Sequence, residues 1–340
     1  MPINNILLTG GFGFVGTNLL LDLKKKYNVY IIDNFYKKDS KENFKRFKSE
    51  CYQFYKFSIT NTKKIEDLFK SIKFKAVINL AAQVAMTKSV ENPINDFKTN
   101  VVGTINLLEA IRKFCKETMF FNISSNKVYG DMEWDRLIEK KYRYESIKFK
   151  NGYDETVPLD FSGPYGCSKG SAEQYVLNYS KIYNLKTVSF RLSTIYGVNQ
   201  YSTYDQGWIG WFINEMINNQ SNDYNLPVHG SGKQVRDILY VDDFINLIQS
   251  SLVNFEAISG NVYNIGGGYK NSMSILELVK YISDFKNLNP PLEITHKDWR
   301  TADQKFYCSN IEKIKKDINW KPSVNKEDGL IKYFDWLSRS

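Results

Sequence analysis

Three glycines spaced three residues apart open this chain, between a strand-like run and a helix-like run. They are Gly10, Gly13 and Gly16, with the apolar residues 6–8 before them and a helical pattern over 15–23 after them. Gly10 permits a tight turn, Gly13 lets a ligand approach the backbone, and Gly16 lets the helix pack closely on the strand. Free N–H groups at the start of a helix favour an anion. The segment therefore predicts a strand–turn–helix unit that cradles a pyrophosphate.

An acidic residue stands at the end of the next strand-like run. Residues 29–32 are apolar and lead into Asp33, 17 residues after Gly16. A carboxylate at this distance accepts hydrogen bonds from the hydroxyls of an adenosine ribose. No arginine directly follows it to bind a 2′-phosphate. The sequence therefore predicts NAD as cofactor, rather than NADP or a ligand-free glycine loop.

Charge and composition argue against several other classes of protein. The 340 residues carry a net charge of +9, but Lys and Arg are scattered and nearly matched by Asp and Glu, 46 against 37. We therefore expect an anionic small substrate and no nucleic acid. No apolar stretch is long enough for a membrane span. No basic region precedes the first apolar run, so neither a membrane partner nor a signal peptide is predicted.

Cysteine and histidine are few and dispersed. Their spacing gives no metal or redox motif, so no metal site is predicted. Unpaired thiols are typical of a reducing cytoplasm, which is the expected location. The residues concerned are Cys51, Cys115, Cys167, Cys308, His229 and His296.

Strand-like and helix-like runs alternate through residues 1–195. Continuous apolar strands between helices are typical of a parallel sheet that is covered on both faces. We predict an α/β fold, a Rossmann doubly wound parallel sheet, formed by 1–195 with a return segment at about 241–267. Residues 196–240 and 268–340 break the alternation and are predicted to form a smaller, discontinuous α+β substrate cap. The charged, aromatic stretch 131–152 fits a solvated loop and a lid equally well.

A candidate catalytic set combines a tyrosine, a lysine and a serine. Tyr165 and Lys169 stand four residues apart at the start of a helical run, so their side chains share one helix face. A tyrosine with a pKa near 10 is a poor base at pH 7, whereas an adjacent ammonium and a positive nicotinamide lower that pKa. Lys169 can also hold the nicotinamide ribose. Ser125, at the end of an earlier strand-like run, can donate to the reacting oxygen.

Together these segments resemble the extended short-chain dehydrogenase/reductase family, the nucleotide-sugar epimerases and dehydratases. The resemblance spans the whole chain and includes the segments 9–16, 80–83, 128–130, 191–197 and 236–243. It implies a Rossmann fold, NAD and a nucleotide-sugar substrate. The family often has an aspartate for adenine where this chain has a serine. The implied cofactor contacts are Gly10, Gly13, Phe14, Val15, Gly16, Asp33, Asn34, Ser58, Ile59, Leu80, Ala81, Ala82, Gln83, Asn100, Tyr165 and Lys169.

The residues after Ser125 separate the reactions within the family. The 4,6-dehydratases typically carry Asp-Glu there, as the acid and base that eliminate water. Here the pair is Asn126-Lys127, which disfavours dehydration. Residues 83–87 and 204–212 are similar to those of family members that invert C2 of a CDP-linked deoxyhexose. We therefore expect an NAD-dependent nucleotide-sugar 2-epimerase. A 4-epimerase is the alternative with the same fold, and a catalytically silent NAD-binding regulator is the alternative from another class.

Half of the substrate contacts implied by the resemblance lie in the cap. Arginine is scarce in this chain, and its planar fork suits a diphosphate. The family grips the diphosphate at Arg236 and Arg300 and approaches the nucleotide ribose at Asp303. The aromatic residues around Trp208 fit a stacking surface and a small cap core equally well. The predicted contacts are Gln83, Thr87, Ser125, Asn126, Trp208, Arg236, Arg300 and Asp303.

Two helical segments carry apolar faces. The family pairs such helices, here near 97–115 and 168–183, into a four-helix dimer, and some members go on to a tetramer. A homodimer or homotetramer is therefore expected.

Overall fold

The computed structural model describes residues 4–218, 225–286, 293–300 and 303–339. Within these ranges the strands are β1 (Asn5–Thr9), β2 (Asn28–Asp33), β3 (Gln53–Lys56), β4 (Ala76–Asn79), β5 (Met119–Ser125), β6 (Leu137–Glu139), β7 (Tyr144–Ser146), β8 (Thr187–Leu192), β9 (Thr194–Tyr196), β10 (Leu226–His229), β11 (Val235–Tyr240), β12 (Val262–Ile265), β13 (Ser272–Ser274), β14 (Ile294–Lys297) and β15 (Phe306–Tyr307).

The α-helices in the same ranges are α1 (Phe14–Leu23), α2 (Lys38–Phe47), α3 (Thr62–Ser71), α4 (Met86–Glu91), α5 (Pro93–Phe97), α6 (Gly103–Phe114), α7 (Gly163–Tyr183), α8 (Trp208–Asn218), α9 (Val241–Val253), α10 (Phe255–Ile258), α11 (Ile275–Lys286), α12 (Glu312–Ile318) and α13 (Lys326–Leu337). A π-helical turn, Lys98–Val102, joins α5 to α6. Short 3-10 turns occur at Lys48–Glu50, Asn126–Tyr129 and Tyr269–Asn271.

Seven of the strands form a parallel sheet in the order β12–β8–β5–β4–β1–β2–β3. Ile6 of β1 pairs with Val29 of β2 on one side and with Ala76 of β4 on the other. Leu8 packs with α1 and α9 on one face, whereas Leu7 packs with α3, α6 and α7 on the other. Because both faces are covered, the strands need no polar alternation and read as continuous apolar runs. The predicted doubly wound α/β sheet is confirmed.

The order of the strands creates a crevice at one edge of the sheet. β1 and β4 are neighbours, but the chain leaves β1 toward α1 on one face and leaves β4 toward α6 on the other. Ligands of doubly wound sheets bind at the carboxyl ends of the strands, where the connections diverge in this way. The segments that follow β1, β2, β4 and β5, which carry most of the predicted cofactor and catalytic residues, meet at this edge.

A second hydrophobic core lies beside the sheet. It is formed by β10, β11, β13, α8, α11 and α13, with Phe212, Met273 and Tyr333 among its buried side chains. β11 is parallel to β9 and β15 and antiparallel to β13. The chain returns from this core through α9 to β12, which pairs with β8 at the edge of the main sheet.

The stretch 131–152 contains the antiparallel hairpin of β6 and β7. Tyr144 in β7 and Tyr153 beyond it are buried with Val235 and Phe306 in a cluster of their own. Part of the stretch is therefore packed against the residues that flank the second core, while more than half of its residues, Glu139 and Lys148 among them, are exposed. A role as a lid stays a prediction.

None of the helices in the described part of the chain combines the length and the apolarity that a membrane span requires. Among the described residues, no three or more His, Cys, Asp and Glu side chains form a group that could hold a metal ion. All four cysteines are free thiols.

Candidate active site

The glycine turn after β1 is built around backbone contacts that a side chain would disrupt. Gly10 has a positive φ of 63°. A Cβ on Gly10 would lie 3.0 Å from the backbone of Ala81, and one on Gly16 would lie 2.6 Å from Gly11. Gly13 precedes α1, and no side chain among the described residues caps this helix. The turn therefore brings bare backbone and the N-terminus of a ten-residue helix to the crevice, which suits a diphosphate.

Asp33 is fixed at the end of β2 by two backbone N–H groups. Its Oδ2 accepts from Phe12 at 3.1 Å and its Oδ1 accepts from Phe35 at 2.8 Å. Burial raises the pKa of this carboxyl group, and the two hydrogen bonds oppose that rise. Each oxygen keeps a further lone pair for a hydroxyl group. Asn34 beside it is exposed, and its Oδ1 accepts from the backbone of Tyr36.

Sequence reasoning missed a cation in this region. Burial lowers the pKa of the Lys37 ammonium, and the negative charge of the nearby Asp33 opposes that lowering. The ammonium donates to Gln206 Oε1 at 3.1 Å. The sequence-based prediction considered only an arginine as a ligand for a 2′-phosphate and did not include this lysine, four residues after Asp33.

The residues predicted to approach adenine lie after β3. The hydroxyls of Ser58 and Thr60 are 2.9 Å apart and hydrogen bonded. Ile59 is buried, its carbonyl accepts from Asn106 at 3.0 Å, and its side chain fills the space beside Gly103. Ser58 is half-buried, so its hydroxyl lies near the surface. The adenine contact stays a prediction.

The segment after β4 is held by two reciprocal hydrogen bonds between a backbone amide and a side-chain amide. The backbone N–H of Gln83 donates to Asn100 Oδ1 at 2.9 Å, and Asn100 Nδ2 donates back to the Gln83 carbonyl at 3.1 Å. The Gln83 side chain closes on the backbone of Ala85 at 2.6 and 2.8 Å. The hydroxyl of Thr87, in contrast, is buried with no hydrogen-bond partner among the described residues. Asn100 and Gln83 thus shape the crevice wall, while Thr87 keeps an unused hydroxyl. Leu80, Ala81 and Ala82 form the half-buried start of this wall.

The predicted catalytic residues meet where β5 faces α7. Tyr165 and Lys169 lie one turn apart in α7, and Ser125 ends β5. All three are buried, and the Ser125 side chain lies close enough to Tyr165 to oppose the rise in the pKa of its phenol. Ser125 Oγ also accepts from the Lys127 backbone N–H at 3.2 Å. Pro164 at the start of α7 fixes the backbone at the first turn, which places the tyrosine.

The titration of this set differs from the sequence-based expectation. Burial raises the pKa of Tyr165 to about 12, Ser125 opposes the rise and Asp96 adds to it. Burial lowers the pKa of Lys169 to about 8, against the attraction of Asp96 and Glu173. The Lys169 ammonium donates to the Ile123 carbonyl. The lowering of the tyrosine pKa that was expected from the lysine is therefore absent in the protein alone, where burial dominates the pKa of the phenol.

A buried acidic network behind the catalytic set was not predicted. Asp96 is fully buried, and its Oδ1 accepts from Asn100 Nδ2 at 3.2 Å. The same amide nitrogen donates to Ser168 Oγ at 2.9 Å. Asp96 and Asn100 are four residues apart, which puts both on one face of a helix. The spacing alone does not show that this polar face is buried.

Three charged side chains join the catalytic turn to the second core. Asp303 Oδ1 accepts from Arg236 Nη2 at 2.7 Å and lies 3.4 Å from Lys127 Nζ. Burial raises the pKa of the Asp303 carboxyl group, but the positive charges of Lys127 and Arg236 outweigh this and hold that pKa below its ordinary value. The neighbouring Gln304 donates to the Gly130 carbonyl at 2.7 Å. Its Oε1 accepts from Asn126 at 3.2 Å. The segment that begins at Asp303 is thus hydrogen bonded to the turn after β5 and holds it in position.

Arg300 and Trp208 lie farther out in the same region. The Arg300 guanidinium stacks over the Tyr204 ring at 4.8 Å and donates to the Tyr204 carbonyl at 2.9 Å. Trp208 packs against the second core, with its Nε1 3.5 Å from Thr194 Oγ1. The core interpretation of the aromatic cluster therefore accounts for Trp208, and a face toward substrate stays a prediction.

The family is decided by a comparison of sequences. Residues 7–333 match the profile of the family described as GDP-mannose 4,6 dehydratase. The chain belongs to the extended short-chain dehydrogenases/reductases. A CDP-paratose 2-epimerase of Salmonella typhi is 42% identical over 337 residues, which cover 98% of this chain and 99% of that protein.

Solved structures of the family share the fold and differ in reaction. A UDP-glucuronic acid 4-epimerase from Bacillus cereus, in complex with UDP-glucuronic acid and NAD, superposes with a TM-score of 0.82. It is 26% identical, with 98% of this chain and 99% of that chain covered. A dTDP-glucose 4,6-dehydratase from Bacillus anthracis, in complex with NAD, has a TM-score of 0.81 at 28% identity, with 99% and 97% covered. The fold alone therefore does not decide between an epimerase and a dehydratase, and the residues of the site must distinguish the two reactions.

Proposed function

We propose that this protein is an NAD-dependent nucleotide-sugar 2-epimerase that interconverts CDP-paratose and CDP-tyvelose, by transient oxidation at C2 and reduction on the opposite face. The observation that carries the proposal is the 42% identity, over 98% of the chain, to a CDP-paratose 2-epimerase. The intact set of Ser125, Tyr165 and Lys169 supports catalysis over a silent regulatory role. The enzyme would thus serve lipopolysaccharide O-antigen synthesis.

The crevice fits the cofactor. The turn has no room for side chains at Gly10 and Gly16 and leads through Gly13 into an uncapped helix, and Asp33 offers free lone pairs on fixed oxygens. NAD held there would supply a hydride acceptor for oxidation of the sugar and, once reduced to NADH, a hydride donor for the return step. The proposed contacts are those named from the sequence: Phe14, Val15, Asn34, Ser58, Ile59, Leu80, Ala81, Ala82, Gln83 and Asn100, with the three glycines, Asp33, Tyr165 and Lys169.

Within the catalytic set, Tyr165 removes the proton of the C2 hydroxyl and later returns one. Ser125, whose side chain lies against Tyr165, donates to the same substrate oxygen. In the protein alone burial, with Asp96, raises the pKa of this tyrosine to about 12 and keeps it neutral. Proton removal at neutral pH therefore depends on positive charge near the phenol during turnover, which the nicotinamide of bound NAD would supply together with Lys169 one helical turn away.

Dehydration lacks its acid–base pair at this site. The side chains that follow Ser125 are an amide and an ammonium, Asn126 and Lys127, and neither is a carboxylic acid. Elimination of water needs a general acid at the leaving oxygen and a base at the neighbouring carbon. The product should therefore be an isomer. A 4-epimerase of another nucleotide sugar is the second candidate, since solved 4-epimerases share the fold.

The substrate lies between the two cores. In this proposal Arg236 and Arg300 bind the diphosphate, and the Thr87 hydroxyl, which has no hydrogen-bond partner among the described residues, bonds to a sugar oxygen. The full set of proposed contacts is Gln83, Thr87, Ser125, Asn126, Trp208, Arg236, Arg300 and Asp303.

A homodimer, or a tetramer of such dimers, is proposed from the outer faces of two helices. Tyr175, Ile182 and Tyr183 of α7 are exposed, and the guanidinium of Arg112 in α6 lies 5.1 Å from the Tyr183 ring. Apolar side chains clustered in this way favour burial against a second copy. The four free thiols favour a cytoplasmic location.

The function is tested with purified protein and a panel of CDP-, UDP-, GDP- and dTDP-sugars. We expect CDP-paratose or CDP-tyvelose to give an isomer of unchanged mass, inverted at C2 by NMR. Reaction in H₂¹⁸O should leave the product unlabelled, because the C2 oxygen never leaves. Loss of one water would show a dehydratase. Inversion at C4 of a different nucleotide sugar would transfer the function to the second candidate.

A further inference from the structure

Lys127 is a buried cation of the catalytic turn for which the proposed reaction gives no role. It lies two residues after Ser125, and its own backbone N–H donates to the Ser125 hydroxyl oxygen at 3.2 Å. Its side chain is only 14% exposed. A lysine is rarely buried so far unless something anionic meets it. Burial lowers the pKa of this ammonium to about 8, while Asp303 and the more distant Asp131 oppose the lowering.

The anion that meets Lys127 is shared with an arginine. Lys127 Nζ at 3.4 Å and Arg236 Nη2 at 2.7 Å both lie against one oxygen, Oδ1 of Asp303. Arg300 acts on the same carboxylate through its charge. Asp205 approaches Arg300 only at 4.0 Å, and both of those side chains are about one-third exposed. Three cations thus act on the carboxylate of Asp303, and two of them contact it directly, so a diphosphate that took its place would meet the same positive charges.

We propose that Lys127 is a specificity-determining residue for the substrate, which exchanges Asp303 for the sugar-side phosphate of a nucleoside diphosphate and so holds that phosphate beside the reaction turn. The inference rests on the proposed function and names a third cation of the same substrate site. Because Lys127 belongs to the same short turn as Ser125, a phosphate bonded to it also fixes the distance of the sugar from the reacting hydroxyls.

The contact makes a specific demand on the ligand. A nucleoside monophosphate lacks the sugar-side phosphate, so it cannot reach Lys127, whereas a diphosphate can. Asp303 competes with that phosphate for the two cations. Removal of the lysine should therefore weaken diphosphates alone, and removal of the carboxylate charge should strengthen them. A lysine that only supports the fold through its salt bridge would give the opposite sign for the second change.

The test is calorimetric binding of CMP and CDP to the NAD-loaded protein. In Lys127→Met we expect the Kd for CDP to rise about ten- to a hundred-fold, the range for one lost charge-assisted hydrogen bond, and the Kd for CMP to stay within about twofold. Lys127→Arg should recover part of the loss. Asp303→Asn should lower the Kd for CDP a few-fold relative to the Kd for CMP, because the loss of a ribose contact would affect both nucleotides alike. Lys186→Met is the matched control, because Lys186 also lies between carboxylates, Glu117 and Glu256, but at the opposite end of the sheet.

Equal effects on CMP and CDP in Lys127→Met, or no effect on either, would overturn the proposal. So would a rise in the Kd for CDP relative to that for CMP in Asp303→Asn, and this ratio also decides the matter if Lys127→Met fails to fold. If the wild-type protein prefers UDP over CDP, the series is run with UMP and UDP, and only the base assignment of the proposed function is lost. A wild-type protein that holds NAD but binds neither diphosphate contradicts the proposed function and this inference together.

Discussion

The Ser125 side chain lies against the Tyr165 phenol, which brings the carboxyl end of β5 to the first turn of α7. Both residues are buried, and a polar interaction in such a low-dielectric position is stronger than it is in water. The same burial raises the pKa of the tyrosine to about 12. The chemistry of the site therefore depends on which charges accompany the pair.

Substitution of the proposed base should separate chemistry from cofactor binding. In Tyr165→Phe we expect turnover to fall by about 10²- to 10⁴-fold, since general base catalysis is lost. The amount of NAD released on denaturation should match the wild type. Tyr175→Phe, on the exposed side of the same helix, is the control and should be fully active. Near-normal turnover of Tyr165→Phe would mean that another group removes the proton.

The glycine turn predicts two different defects for two similar changes. A Cβ at Gly16 would lie 2.6–2.7 Å from backbone atoms of Gly10 and Gly11, so Gly16→Ala should lower both the melting temperature and the NAD content. Gly13 has an ordinary φ of −67°, and its nearest contact would be 3.2 Å away. Gly13→Ala should therefore fold normally and lose NAD affinity, because the added methyl group stands where the phosphates approach. Thermal melts and NAD titration measure the two effects. Full NAD affinity in Gly13→Ala would remove the phosphates from this position.

Lys169 should give the protein a measurable pH dependence of stability. Burial lowers its pKa from 10.5 to about 8 in the folded protein. The unfolded chain therefore holds more protons between these two values, and stability gains as the pH rises through this window. At about 1.36 kcal/mol per unit of pKa, the free energy of unfolding of the wild type should gain about 3 kcal/mol over that of Lys169→Met between pH 7.5 and pH 10.5.

The comparison is made by urea unfolding of both proteins after the bound dinucleotide has been removed, because NAD would stabilise the two to different extents. A constant difference across the pH range would show that Lys169 titrates at its ordinary pKa.

The cap arginines should act on substrate affinity. In Arg300→Lys a point charge replaces a planar fork, and the stacking on Tyr204 is weakened. We expect KM for the nucleotide sugar to rise by the equivalent of about 1.5–3 kcal/mol, with a smaller change in kcat. Arg236→Lys should behave alike. Arg46→Lys is the control, because Arg46 is exposed and donates to Tyr201 away from the crevice. Normal KM values in both cap variants would place the diphosphate elsewhere.

The parts of the fold that follow from local pattern were predictable. Apolar runs gave the strands of the main sheet, and the four-residue spacing of Tyr165 and Lys169 put both on one helix face because that relation is set within a single turn. Contacts between distant segments were not predictable in the same way. Lys127 and Asp303 are 176 residues apart in sequence, and no local rule links them.

Electrostatic signs were the hardest to foresee. An ammonium one turn from Tyr165 suggested a lowered pKa, but the sign is decided by how deeply the phenol is buried and by the presence of Asp96. Both depend on packing that only the folded chain defines. Asp96 itself reads as one more polar residue in a polar stretch, although it is fully buried.

The position of β12 at the edge of the main sheet has a consequence for biosynthesis. β12 pairs with β8, but residues 193–261 separate the two strands along the chain. While the ribosome makes that stretch, the N–H and C=O groups along one side of β8 have no strand to pair with, and an unpaired strand edge invites association with other chains. Newly made chains should therefore be most dependent on chaperones after β8 has emerged and before residue 265 leaves the exit tunnel.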